Sequence, residues 1–547
     1  MHYDIQAPCG RPRSSRERTQ SRPSLFGEFV KAKLTFLAVL WLLASTATFA
    51  ADAAPAPAPS PAQDGTLPAL TAIAGQATLN NHALDYLEEL SDYVGGRVTG
   101  SPQADHAVQW GIAKMQAIGL SNVHAEKWQL SRGWTRVSAS ASMVAPIQRP
   151  LTISSLGWVG STPKGGVETE VVIVDNSQLD REMKDNSSKW AGKILLMRSK
   201  TDMSREERQK MFLKFGPFLK AAYAAHAAAV IGGQGGSKAR GMNLTHTGVL
   251  GFDVVYDIPV VSMTAEDSEQ LVRFLDQGKT VRLKMDVQNV LTSGPVDSAN
   301  VVGDIPGTEH PEQVIVIGGH LDSWDLAEGA TDDGVGVATT LGAAEAILKS
   351  GFKPKRTMRF VLFTGEEQGL LGSLAYVKTH KAEMTNHVAA VILDNGQGPV
   401  ISLQLGGRDD VVAAVKPFAE TVQAFGKIKT NDDVEFGTDA GSFVLAGLPG
   451  INLDQDSPDY KYTHHSEADT FDKVDPDLLL RDTAVMALTS FWIADRPERL
   501  ASPWPDERIA RMLVKKHEDE ELKAVGLWTF GNLGKEEEKK PAAGAAQ

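Results

Sequence analysis

Only one cysteine, Cys9, occurs in the 547 residues, and it stands ahead of the apolar run Leu34 to Ala44 (LTFLAVLWLLA). A lone thiol forms no internal disulfide. Once a leader carrying Cys9 is removed, the mature chain has no thiol nucleophile either. Cys9 is also on the wrong side of the apolar run to serve as a lipoprotein cysteine. That run is shorter than the ~20 residues a bilayer-spanning helix needs, so no permanent membrane anchor is expected. Positive charge is in deficit as well: 55 Lys and Arg stand against 68 Asp and Glu, a net charge of −13. With no basic patch to offset that acidity, a nucleic-acid partner is excluded. A serine-hydrolase elbow is missing too, since Gly441-Ser442 lacks the Gly-x-Ser-x-Gly frame.

The remaining composition, 42% hydrophobic, 22% charged and 7% aromatic, suits a globular protein with a large core and more than one domain. Lys31 and Lys33 precede the apolar run and small residues follow it through Ala50 and Ala51. A positive flank, a short apolar stretch and a small-residue exit predict a secretory signal over residues 1–50 and a periplasmic or extracellular destination. The Pro/Ala tract AAPAPAPSPAQ predicts an extended linker over 51–68, and KEEEKKPAAGAAQ a disordered tail over 535–547. Helical patterning runs from about Leu70 to Trp128, interrupted by the turn-rich Gly95-Gly96-Arg97. Residues 149–289 have a different texture, with short strand-like runs among glycines and an Ala-rich helix at Ala221 to Ala229. They predict a small α/β insert in a discontinuous main domain of 69–148 and 290–500, followed by a helical extension over 501–534.

Within the main domain, apolar strands alternate with helices. Val314 to Gly318, Thr357 to Phe363 and Val388 to Leu393 predict strands; Val335 to Leu348 and Leu370 to Val377 predict helices. Continuous apolar strands alternating with helices predict an α/β fold with a mostly parallel central sheet flanked by helices. Ligands bind beyond the carboxyl ends of such strands. The strand exits carry Gly319-His320-Leu321-Asp322, Thr364-Gly365-Glu366-Glu367 and Asp394-Asn395; Asp332-Asp333-Gly334 precedes a helix, and Tyr462-Thr463-His464-His465 and Asp469 lie farther on. Singly, an Asp after a strand caps a helix, and a Glu-Glu pair faces solvent. Together, two His and three carboxylates without thiolate suit zinc, and exceed what one tetrahedral site requires. They fit two ions about 3.5–4 Å apart, bridged by a carboxylate.

As an ordered set, His320-x-Asp322, Asp332 in GATDDGVG, Glu366-Glu367 in FTGEEQGLLGS, Asp394 and His465 in HHSEADT resemble the co-catalytic dizinc exopeptidases. The run HLDSWDLAEGATDDG and the double histidine look most like the carboxypeptidase Q branch. The resemblance covers roughly 75 to 495 and implies a zinc-peptidase fold whose insert is a protease-associated domain, with two Zn2+ ions per subunit. By that resemblance Asp332, chosen over Asp333 for its spacing, bridges the ions. His320 and Asp394 complete one ligand set, and Glu367 and His465 the other. Asp322 orients His320, and Glu366 is the general base. Relatives often carry Tyr where His464 stands, so His464 is a candidate oxyanion donor; Asp439 in FGTDAGSF matches a position lining the site.

The implied substrates are peptides, cut from the amino end. A carboxypeptidase acting on acidic C-terminal residues is the alternative, but it needs an Arg or Lys cluster that the sequence does not place. Receptor-like relatives lose metal ligands, and glutaminyl-cyclase-like relatives work with one zinc. The intact set of five ligands disfavours both. The insert is expected to shape the active-site cleft, to set substrate size or to support a homodimer.

Overall fold

The computed structural model describes residues 66–198, 205–232 and 242–534; the expected signal segment and tail lie outside these. Two eight-stranded sheets organise the described chain. The first runs in the order Ser121–Leu130, Val296–Ile305, Arg356–Phe363, His310–His320, His387–Ile392, Gly450–Gln455, Val400–Gln404, Lys429–Asn431. Its four middle strands are mutually parallel. Val296–Ile305 pairs antiparallel with both of its neighbours, and Val400–Gln404 antiparallel with Gly450–Gln455. The sheet is parallel at its centre, as expected, and mixed overall because antiparallel pairings flank that centre. The short link from Ile305 to His310 simply reverses the chain, whereas a parallel return takes a crossover of about a dozen residues.

The apolar strands are continuous because both faces are covered. Ile315 and Ile317 enter one core with Val337, Ala338 and Leu341, while Val314 and Val316 enter another with Tyr376 and Phe443. The helix Val335–Ser350 is buried from Val335 to Ile347. It packs between the sheet and the helices Leu67–Leu79 and Pro476–Asp495. Close approach is needed at its first turn, where a side chain on Gly336 would strike the Asp333 carboxylate and the Leu393 carbonyl. Gly351, left-handed at φ 76°, ends the helix.

Two expectations change at the amino-terminal side. The helix Leu67–Leu79 begins inside the expected linker, with Pro68 in its first turn, where no backbone N–H is needed. The helical stretch expected to reach Trp128 stops at Ile118; Gly119 caps it at φ 98°, and Ser121–Leu130 is an edge strand. Val123 and Ala125 face the core from that strand, so its period is 2.

The second sheet contains Trp134–Ala145, Arg149–Leu151, Ile153–Ser155, Val167–Asp175, Ile194–Arg198, Ala229–Ile231, Val260–Met263 and Arg282–Leu291. It has its own apolar core, which includes Met143, Leu196, Ile231 and Met285. The expected boundary at 149 falls inside this sheet, because Trp134–Ala145 already pairs antiparallel with Arg282–Leu291. Small Ser and Ala residues along Trp134–Ala145 carry little hydrophobic signal and conceal the strand. The expected Ala-rich helix is also divided: Arg205–Ala224 is helical, and Ala229–Ile231 is the strand that follows. Trp134, Trp158 and Trp324 join the two sheets, with ring centroids 5.7–6.2 Å apart.

Candidate metal centre

The carboxyl edge of the parallel strands gathers the predicted residues. His320 ends its strand, and Asp394 stands two residues beyond Ile392. Gly365, at φ 79°, turns the chain sharply out of Arg356–Phe363 and delivers Glu366 and Glu367. Asp332 lies in the irregular turn ahead of Val335–Ser350. The short helix Tyr460–Thr463 leads to His464 and to His465, whose φ of 58° is left-handed. His320, Asp332, Glu367 and Asp394 are buried.

Asp332 stands between two clusters. Its Oδ1 is 3.2 Å from His320 Nε2, which is 3.6 Å from Asp394 Oδ1. Its Oδ2 is 3.4 Å from His465 Nε2, which is 2.8 Å from Glu367 Oε2. Two groups of potential donors result, His320–Asp332–Asp394 and Asp332–His464–His465, with Asp332 common to both. We weigh Glu367 above His464 in the second group. The His464 side chain is 48% exposed and 4.0 Å from Asp332, whereas Glu367 is buried with its Oε1 unpartnered. His320 Nε2 and Asp332 Oδ2 are likewise buried without a hydrogen bond. Buried imidazole and carboxylate lone pairs converging without partners fit a metal; they are costly otherwise. Asp333 points away, accepting from the backbone N–H groups of His320 and Gly336 at 3.1 and 2.8 Å.

Electrostatics agree with this division. Burial opposes charge on both imidazoles, but surrounding carboxylates outweigh it. Asp394, Asp322 and Asp332 raise His320, while Glu367 and Asp332 raise His465 to about 9. Burial pushes Glu367 up to about 7, aided by Asp332, and Asp394 up to about 6. Burial favours the neutral form of Asp332, yet the adjacent histidines pull its carboxyl below the ordinary carboxylate range. Glu366 is raised by burial and by Asp394, Glu367 and Asp439. Its carboxylate lies 3.9 Å from His320 Nε2, outside both donor groups.

Asp322 was expected to orient His320 as an acceptor. The structure gives that contact to its backbone oxygen, 2.9 Å from His320 Nδ1, with Oδ1 at 3.7 Å. The Asp322 carboxylate instead accepts from Thr99 Oγ1 at 2.8 Å and from the Glu366 N–H at 3.3 Å. Asp439 is buried with neither oxygen hydrogen-bonded. Burial, together with the charges of Asp394 and Asp322, raises it to about 7.

Four residues at the site carried no role in the sequence reading. Trp324 Nε1 donates to Glu367 Oε2 at 2.6 Å. Asp469 accepts from the backbone of Thr331 and Asp332 at 2.6 and 3.2 Å. Arg97 is fully buried and donates to the carbonyls of Leu321, Glu328 and Gly329. Tyr460 packs against Gly396 and edge-on to His464, with ring centroids 5.0 Å apart. Burial and the charges of Asp332, Asp394 and Glu367 raise its hydroxyl far above the usual tyrosine range, so it remains a donor. Gly-Gly-Arg and the helical spacing of Tyr460 and His464 were the available signals.

Comparison with known proteins identifies the family. Residues 300–490 match the profile of peptidase family M28. Carboxypeptidase Q of Mus musculus is 32% identical over 433 residues, covering 79% of this chain and 90% of the relative. The chain belongs to peptidase family M28. Carboxypeptidase Q of Rattus norvegicus is 33% identical over 440 residues, covering 79% of the chain and 89% of the relative. The crystal structure of a peptidase M28 precursor from Shewanella amazonensis superposes with a TM-score of 0.70 at 30% identity, over 80% of this chain and 99% of that one. A zinc aminopeptidase from Bacillus subtilis shares the fold, with a TM-score of 0.58 at 20% identity over 77% and 97%. This M28 protein is thus a metallopeptidase with a mixed α/β fold. Among its described residues, no helix is long and apolar enough to cross a membrane.

Proposed function

We propose that this M28 metallopeptidase is a dizinc exopeptidase that cleaves dipeptides or short peptides from the amino end. The observation that carries the reading is Asp332, whose two oxygens face His320 with Asp394 on one side and His465 with Glu367 on the other. His320, Asp332 and Asp394 would hold one ion; Asp332, Glu367 and His465 would hold the second. Zinc held there would supply Lewis acidity, lowering the pKa of a water and polarising the scissile carbonyl. Glu366 takes the proton from that water and passes it to the leaving amine. Asp322 holds Glu366 through its backbone N–H. Tyr460, with His464 beside it, donates toward the carbonyl oxygen as it gains charge.

Amino-end cleavage is supported by the charge at the site. Asp439 offers a buried, unpartnered carboxylate. The neighbouring cations are already engaged: Arg97 by backbone carbonyls, Arg136 by Asp325 at 2.8 Å. A protonated amine fits such surroundings better than a carboxylate does. Carboxypeptidase activity is the second reading, favoured by the names of the mammalian relatives. A panel of N-blocked and unblocked dipeptides and aminoacyl anilides, with metal counted by mass spectrometry, separates the two. Turnover of N-blocked peptides alone would establish the second reading and exclude the first.

Export to the periplasm or medium is part of the proposal, resting on the apolar run and its flanks; amino-terminal sequencing of the exported protein tests it. The body around the second sheet is proposed to be a protease-associated domain.

A further inference from the structure

The body of the second sheet reaches the metal centre through a short segment, Thr245 to Gly248, that lies between Ala229–Ile231 and Val260–Met263. His246 and Ser466 form an antiparallel bridge across the two bodies. The Thr247 N–H donates to the His465 carbonyl at 2.9 Å, and the Thr247 carbonyl lies 3.3 Å from His465 Nδ1, the ring nitrogen turned away from Asp332 and Glu367. His246 Nδ1 meets the His464 carbonyl at 2.8 Å. Two side chains hold this segment. Glu467 accepts from the Thr245 N–H at 3.0 Å and from its hydroxyl. Arg136 donates to Thr247 Oγ1 at 3.1 Å while paired in two-pronged fashion with Asp325, at 3.0 and 2.8 Å. Thr247 in turn donates to the Ser155 carbonyl at 3.2 Å.

A histidine that binds metal through one ring nitrogen is oriented by whatever accepts from the other, and such outer partners are worth about 10–100-fold in metal affinity. We propose that Arg136, Thr247 and Glu467 are positioning residues for His465, so that the inserted body governs retention of the ion held by Glu367 and His465. The insert then acts as part of one metal site and leaves the other independent. His465 adopts a left-handed backbone, which the two-sided hydrogen bonding to Thr247 holds in place. The inference rests on His465 being a metal ligand.

The test uses the full-length zinc-loaded enzyme and titration with a zinc chelator, counting ions per chain by mass spectrometry. Arg136→Met and Glu467→Ala should each weaken one ion about tenfold, and the double variant about a hundredfold, with the second ion unchanged. His465→Ala should lose the same single ion. Circular dichroism and Tm establish that each variant is folded; Glu467→Ala, at a more exposed position, remains informative if Arg136→Met is not. A clamp that is only structural would lower Tm and leave both affinities at wild-type values. That result, or an equal weakening of both ions, overturns the proposal. Two ions retained by His465→Ala would instead overturn the ligand assignment on which it rests.

Discussion

Replacing Glu366 by Gln isolates the proton-transfer step from metal binding. The carboxyl lies in neither donor group, and it stands 3.9 Å from His320 Nε2. The amide has the same shape, so the Glu366 N–H keeps its bond to Asp322. Burial and the like charges of Asp394, Glu367 and Asp439 disfavour ionised Glu366, so a neutral amide should be tolerated without loss of fold. Losing a general base costs about 10²–10⁴ in rate, or roughly 2.7–5.4 kcal/mol at about 1.36 kcal/mol per tenfold. Steady-state kinetics on an unblocked dipeptide should show kcat down by that factor with KM little altered, the signature of an interaction lost in the transition state. Mass spectrometry should still count two zinc ions. A kcat within about tenfold of wild type would refute the role of Glu366.

Asp332→Asn removes the carboxylate common to both groups and should weaken both ions, whereas Asp394→Asn should release one; equal stoichiometries by mass spectrometry would exclude a shared bridge. In the metal-free protein the surrounding carboxylates outweigh burial, pushing His465 up to about 9 and raising His320, so protons compete with metal for both. Metal must displace those protons, so zinc affinity should climb with pH until about 9; chelator competition across that range would show a flat line if the assignment were wrong. Glu367 and Asp469, both raised to about 7 by burial, stabilise the metal-free fold while protonated. That contribution is complete below the ordinary carboxylate range and is lost as pH rises through 7, so the Tm of the metal-free protein should fall over this interval. Tyr460→Phe should lower kcat about 10²–10³-fold if its hydroxyl steadies the developing oxyanion; an unaltered kcat removes it from the mechanism.

How much of this was legible in the sequence follows from how local each signal is. His320, Glu366–Glu367 and Asp394 stand at the ends of strongly apolar strands, and strand exits at a sheet edge converge by topology, so their meeting was foreseeable. Asp332 and Asp333 are neighbours of the same type; spacing favoured the first, and the structure turns the second onto the backbone of His320 and Gly336. Arg97 and Tyr460 act across long sequence separations or through atoms that no motif marks. The strands Ser121–Leu130 and Trp134–Ala145 were missed for a related reason. Polar residues alternate along the first and serines along the second, so neither has the apolar run that revealed the central strands. The antiparallel placing of Val296–Ile305 follows from its short link to His310, which strand-by-strand reading does not weigh.

Arg97 offsets part of the negative charge buried at this centre. Asp322, Asp332, Asp333 and Asp469 all act on its guanidinium, yet its hydrogen bonds go to backbone carbonyls. Burial alone would favour discharging it, and those four carboxylates oppose that. The charge is therefore spread over the cluster, while the donors fix the loop from Leu321 to Gly329, which leads directly into Asp332. A carboxylate fastened to Arg97 would be a poorer metal ligand, because the cation would already occupy its lone pairs. Satisfying Arg97 with carbonyl oxygens leaves Asp332 free to face the candidate metal centre. The fully buried cation thus supports the loop mechanically and the ligands electrostatically, without competing for the oxygens that metal would use.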